Sequence, residues 1–313
     1  MDLEPTPDQL ALVDELRRFL DARVERPAAA MPEVWSELDA MGVLSLPVPP
    51  DAGGVGLGWA EAALAFQALG RSGVAGPFVA TAAASAAGLA RGVTGLVPEG
   101  PGPGPAARPA LVEHLDRLDT LLAVGPTGVR TVPLPLAGAR PIVRPLDPLT
   151  PVHLVEALPP GSAVAGADGA RLLARHAALL AAAQQVGLGL AAVSMATAYA
   201  GERQQFGRPI GSFQAVKHLL ADAIVGLEVA RAAVDAAAVT VDEGGDDTAV
   251  ARAVASARLV ASESAGHATR ASIQVHGGMG YTWELDAHLH LKRVLVLDQS
   301  LGTVEDAVGL LAS

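Results

Sequence analysis

The sequence predicts a mainly α-helical protein. An N-terminal helical domain (1–96) passes through a Pro/Gly linker (97–109) and a shortened middle β segment (110–168) into an antiparallel four-helix bundle (169–313). Three observations predict this order. Half of the residues are hydrophobic but only 3% are aromatic, so alanine, leucine, valine and glycine must build the core, which favours closely packed helices. The C-terminal half carries long helical periodicities separated by short turns, the pattern of antiparallel neighbours. Between 110 and 168 the texture changes to short runs of β-formers bounded by turn residues.

In the N-terminal domain, Thr6-Pro7-Asp8-Gln9 reads as a helix cap. Leu10, Leu12, Val13, Leu16, Phe19 and Leu20 follow as an apolar stripe. Glu33 to Met41 predicts a second helix, ended by Gly42. The Pro- and Gly-dense run from Leu46 to Gly58 is a connector with special backbone angles. It is not a phosphate-binding P-loop, because no strand leads into it and no lysine follows. Trp59–Gly70 and Phe78–Ala90 predict two more helices. The linker V-P-E-G-P-G-P-G-P-A-A-R-P marks the domain boundary. In the β segment the strand-like runs are 120–124, 128–134 and 151–155. Helices are then expected over 170–202, 212–242, 245–275 and 303–313.

The formal charge of -11 argues against a nucleic-acid surface, which needs clustered Lys and Arg. With no cysteine, disulfides, thiolate metal sites and cysteine nucleophiles are excluded. No metal site is expected. The start of the chain lacks the basic and apolar regions of a signal peptide, so a cytoplasmic protein is expected. The uncharged run Ala177–Gly201 has the length of a membrane span, but its glutamines, glycines and alanines suit a buried bundle helix, and no membrane partner is expected.

The stretch richest in chemistry is Glu202–Asp222, E-R-Q-Q-F-G-R-P-I-G-S-F-Q-A-V-K-H-L-L-A-D. Pro209 cannot continue a helix, and Phe213, Val216, Leu219 and Leu220 start a new one. The result is a stiff corner bearing Arg203, Arg208 and Phe206, which suits an anionic, partly planar ligand. The same residues also suit a solvated corner with Phe206 in the core.

This stretch resembles the C-terminal-domain signature of the acyl-CoA dehydrogenases. A second segment, Q-V-H-G-G-M-G-Y-T-W-E from Gln274 to Glu284, resembles the Gln-x-x-Gly-Gly motif of the same family. The loop Leu46–Gly58 and the order helices, strands, bundle are similar too. The resemblance implies FAD as cofactor and an acyl-CoA as substrate. It implies that Arg203, Phe206, Gln214, Gln274, Val275, Gly277 and Gly278 contact the adenosine-diphosphate side of an FAD held across a subunit interface.

The chain also departs from the family. The runs that wall the flavin ring, near T-E-P-x-A-G-S-D and W-I-T-N, have no counterpart here. The family's catalytic glutamate, which takes the α-proton, stands either before a Gly-Thr pair or on the first bundle helix. Here Leu301 precedes Gly302-Thr303, Ala177 or a neighbour stands at the helix position, and no acidic residue lies between Asp168 and Glu202. No catalytic residue is therefore expected; His176 and Asp298 are the alternative bases nearest the two positions. The resemblance points to the short partner of actinobacterial heterotetrameric (α2β2) steroid-CoA dehydrogenases. The expected partner is a larger paralogue that supplies the glutamate; the alternatives are a homo-oligomeric flavoenzyme with an atypical base, or a flavin-free structural subunit.

Overall fold

The computed structural model describes residues 4–24, 34–99, 109–299 and 301–312. Glu33, the first residue of the expected second helix, and most of the expected linker lie outside the described residues.

Four helices open the fold: α1 (Pro7–Arg23), α2 (Trp35–Ala40), α3 (Trp59–Ser72) and α4 (Phe78–Ala86). Thr6 caps α1 in a reciprocal box with Gln9, satisfying backbone donors that the first turn cannot pair internally. Gly42, at φ 75, lets the chain leave α2 in a left-handed turn. Trp35 stacks on Phe78 with ring centroids 5.1 Å apart, tying α2 to α4. Helix α4 ends at Ala86, short of the expected Ala90.

Among the described residues the middle segment holds two small sheets. The first has the order β1 (Thr94–Pro98), β3 (Thr120–Gly125), β4 (Gly128–Val132), β7 (Ala163–Gly166). Strand β1 runs parallel to β3, with Thr94 opposite Thr120, so the sheet begins before the expected linker and includes its first two residues. The second sheet is antiparallel, in the order β2 (Ala110–Glu113), β6 (Val152–Val155), β5 (Arg140–Pro141).

The C-terminal region is built on α5 (Ala167–Glu202), α6 (Gln214–Asp242) and α7 (Asp247–His276). Two shorter helices, α8 (Ala287–Asp298) and α9 (Val304–Leu311), complete it where one last helix was expected. The run H-L-H-L-K-R-V-L-V-L alternates like a strand, which hides α8 from a periodicity reading. Packing against α5 and α7 overrides that local pattern.

Helix α5 is long and apolar enough to cross a membrane, yet 83% of its most apolar window is buried inside the protein. It is the central strut. Gly70 of α3 and Gly187 of α5 let the two backbones touch: a Cβ at Gly70 would sit 2.0 Å from the Gln184 carbonyl oxygen, and one at Gly187 2.0 Å from that of Gln67. Asp242, at the end of α6, accepts the Trp59 and Ala60 N–H groups at 2.7 and 2.9 Å and so caps α3. The N-terminal helices and the bundle therefore share one continuous core.

Candidate functional site: an outward-facing arginine corner and a base position without a base

Between α5 and α6 the chain makes a two-residue hairpin. Strands β8 (Gln204–Gln205) and β9 (Arg208–Pro209) pair antiparallel, and Ile210 N–H returns to the Arg203 carbonyl at 2.8 Å. Phe206 and Gly207 form the tip at φ 53 and 77, and positive φ at both central residues is the signature of a type I′ turn. Glycine takes this conformation freely; phenylalanine does so rarely and at a cost. The Phe206 ring is 92% exposed, so the cost is not offset by burial within this chain, and the core placement of Phe206 does not hold.

The two arginines differ. Arg208 lies over the Phe213 ring at 4.1 Å, a cation–π contact that holds its guanidinium to the surface. Arg203 is exposed, and its guanidinium has no ion pair among the described residues. Gln214, at the start of α6, is exposed and within 3.2 Å of His218 Nε2. Gln274 is exposed on the last turn of α7. Val275 is buried and packs with Ala196 and Ala200 of α5 and with Ile210 and Val216 beside the hairpin. Tyr199 and His276 stack at 4.5 Å across the same junction. Thus Val275 and His276 bring the end of α7 to the hairpin. Gly277 and Gly278 follow at the surface with open space where a Cβ would be.

This donor set fits an anionic dinucleotide. It offers an uncommitted guanidinium, two exposed side-chain amides, an open aromatic ring and a glycine pair that admits close approach. All of it faces outward.

The base positions lie elsewhere. Gly302, at φ 72, packs directly on α5: its missing Cβ would meet Ala178 Cβ at 2.8 Å and the Ala174 carbonyl at 2.7 Å. The two places where a family glutamate is expected therefore converge. Leu301 is half-buried against the main core and Ala177 is fully enclosed. A cleft of about 250 Å³ opens beside Gly302 between α5, α7 and α9. Among the described residues the one carboxylate lining it is Asp306, which accepts from Thr303 N–H at 2.9 Å and Thr303 Oγ1 at 2.8 Å in the capping box of α9.

Asp298 is also committed to hydrogen bonds, and His176 is shut away from solvent. Asp298 accepts from Ser262 Oγ at 2.6 Å and Gln185 Nε2 at 2.7 Å, and lies 3.7 Å from the buried Arg258 guanidinium. Arg258 donates to the Gly302 carbonyl at 3.0 Å and to the Leu297 carbonyl and Gln185. Burial pulls its pKa down to about 10, and Asp298 partly offsets that. His176 is buried with its ring 4.1 Å from Trp59, and burial lowers its pKa to about 4. Sequence reading missed Arg258. A lone arginine among small residues, V-A-S-A-R-L-V-A-S, is the signal that could have found it.

Comparison with known proteins identifies the family. The family profile "Acyl-CoA dehydrogenase, C-terminal domain" matches residues 166–312, and "Acyl-CoA dehydrogenase, N-terminal domain" matches 6–92. The chain belongs to the acyl-CoA dehydrogenase family. It is 34% identical to the acyl-CoA dehydrogenase IpdE2 of Mycolicibacterium smegmatis over 90% of this chain and 87% of that protein. Butyryl-CoA dehydrogenase from Megasphaera elsdenii superposes with a TM-score of 0.82 at 19% identity, covering 100% of this chain and 99% of that one. A chain of the ChsE4–ChsE5 complex from Mycobacterium tuberculosis gives 0.78 at 22%, covering 100% and 98%. The chemistry of this acyl-CoA dehydrogenase family is FAD-dependent dehydrogenation of acyl-CoA thioesters.

Proposed function

We propose that this chain is the non-catalytic subunit of an FAD-dependent acyl-CoA dehydrogenase and works in a complex with a larger paralogue. One observation supports the reading: Gly302 packs on Ala174 and Ala178 of α5, which brings together the two base positions that the family resemblance implies, and they hold Leu301 and Ala177 or a neighbour, with no carboxylate between Asp168 and Glu202. FAD, when bound, accepts the hydride that leaves the acyl chain as the α-proton is taken by a base. This chain's part is to hold the cofactor. Arg203 neutralises phosphate charge; Phe206, Gln214, Gln274 and the Val275–Gly278 segment shape the surface around it. The partner supplies the glutamate and the flavin wall. The resemblance to the short partner of steroid-CoA dehydrogenases supports a bulky acyl group as substrate, and the likeness to a chain of the ChsE4–ChsE5 complex is consistent with a hetero-oligomer.

Co-expression with full-length acyl-CoA dehydrogenase paralogues from the same genome tests this. A co-purifying complex that carries FAD and oxidises an acyl-CoA, with this chain alone inactive, is the expected result. If the chain purified alone carries one FAD per protomer and dehydrogenates an acyl-CoA, the reading fails.

A further inference from the structure

The cleft between α5, α7 and α9 is a gap where a helical bundle normally has filling. Its walls are Ala174 and Ala178 of α5, Ala251, Val254 and Ala255 of α7, and Ala307 of α9. Each helix turns its i, i+3, i+4 face inward, but five of these six side chains are single methyl groups. The space they leave, about 250 Å³, is far larger than the voids of a packed interior and approaches the lower end for small-molecule pockets, about 300 Å³.

The helices cannot simply close the gap. Gly302 is seated against Ala174 and Ala178, and the buried Arg258 holds the Gly302 and Leu297 carbonyls, so the start of α9 is pinned. The slot is therefore preformed, which lowers the cost of filling it.

It lies apart from the surfaces described above. His176 and Gly187 turn towards Trp59 and α3. Ala174 and Ala178 stand two residues either side of His176, about 200° round the helix, and so face the opposite way. The arginine corner is at the far end of α5, about 40 Å along its axis.

The mouth is polar. Arg171 and Arg175 stand on its rim. Arg175 is spent on a bidentate pair with Asp247, Nη2 to Oδ2 at 2.9 Å. Arg171 is paired only with Asp168 on its own helix, with side chains 59% and 93% exposed, and such a surface pair is weak and easily exchanged. The first turns of α5 and α7 lie at this end and add the positive ends of two helix dipoles. The lining spans about two turns of each helix, roughly 10 Å, which limits the occupant to a short body.

We propose that this slot binds one small amphipathic carboxylate, its apolar body against the alanine walls and its carboxylate on Arg171, which releases Asp168 to water. The site is independent of the subunit reading.

Calorimetric titration of the full chain with decanoate tests this, with decanol as the same body without the charge. The expected result is saturable binding of one decanoate per chain, at least about tenfold tighter than decanol. Arg171→Gln brings decanoate to the level of the alcohol and leaves the thermal midpoint of the free chain unchanged. Ala255→Leu fills the slot, so both ligands are lost while the midpoint holds or rises. Arg203→Ala leaves the decanoate Kd within about twofold, which separates the slot from the corner. Absence of saturable binding to the native chain overturns the proposal, as does binding that survives Ala255→Leu. Equal binding of acid and alcohol, or an unchanged Kd in Arg171→Gln, overturns the carboxylate assignment. Where Ala255→Leu lowers the midpoint, Arg171→Gln decides. None of these outcomes bears on the co-expression result, which decides the subunit reading by itself.

Discussion

Arg293 of α8 and Asp147 form an enclosed ion pair that joins the bundle to the β segment. Asp147 is fully buried and Arg293 nearly so, and the guanidinium Nε donates to Asp147 Oδ2 while Nη1 donates to the Val74 carbonyl at 3.0 Å. Asp147 also accepts from Thr150 Oγ1 at 2.9 Å and Leu149 N–H at 3.1 Å. Removing one partner leaves the other charge unpaired in a dry site. Asp147→Ala should therefore cost about 3–5 kcal/mol, read as the change in urea unfolding midpoint. A loss below about 1 kcal/mol would mean that water reaches the pair.

The same junction makes stability depend on pH. Burial pushes the Glu113 carboxyl up to about 7; Arg293 works against that shift and Asp147 adds to it. An unfolded glutamate titrates near 4.5. Between these values the folded chain keeps a proton that the unfolded chain has lost. This contribution is fully present below about 4.5 and is lost as pH rises through 7, by up to about 3 kcal/mol in all. His114 acts in the opposite sense: burial lowers it to about 4, so its contribution is lost as pH falls from 6.5 towards 4. Between pH 6 and 8 His114 opposes the Glu113 effect without cancelling it, so the unfolding free energy of the native chain should fall gently with pH. In Glu113→Gln the His114 effect is left alone, and the slope should reverse, stability rising from pH 6 to 8.

Arg203 should matter to cofactor retention and little to folding. Its guanidinium has no ion pair within the described residues to lose, and a charge-assisted contact to phosphate contributes about 1.5–3 kcal/mol. In the assembled enzyme, Arg203→Ala should weaken FAD binding about ten- to a hundredfold, measured by flavin fluorescence on titration. The unfolding midpoint of the isolated variant should not move. Equal FAD affinity in the variant would remove the corner from the site.

Much of this was legible from residue order. The Thr6 box, the Gly42 stop, the break at Pro209 and the long apolar run of α5 all declare themselves locally, because caps, turns and helical stripes are short-range chemistry. What was not legible depends on distant partners. Helix α8 alternates like a strand and is helical only because α5 and α7 cover it. Strand β1 ends in Pro98 and reads as linker until it is laid beside β3. In the candidate site, the corner could be named from its residues. The exposure of Phe206, the stacking of Arg208 on Phe213 and the burial of Arg258 under Gly302 needed three dimensions.

The last prediction separates scaffold from chemistry at the base position. Asp298 is held by Ser262 and Gln185 beside Arg258, whose guanidinium fixes the Gly302 carbonyl. It is a structural carboxylate, so Asp298→Ala should destabilise the chain by about 3 kcal/mol through the buried cation it leaves less compensated. His176 is kept neutral by burial across the whole physiological range, and its ring is fixed against Trp59. In the assembled enzyme, His176→Phe and Asp298→Asn, assayed at a temperature where both variants are folded, should keep turnover within about threefold of the native value, and their pH–rate profiles should keep the native inflections. A fall of a hundredfold or more in turnover with an unchanged unfolding midpoint, or a missing inflection, would make that residue the base and this chain catalytic by itself.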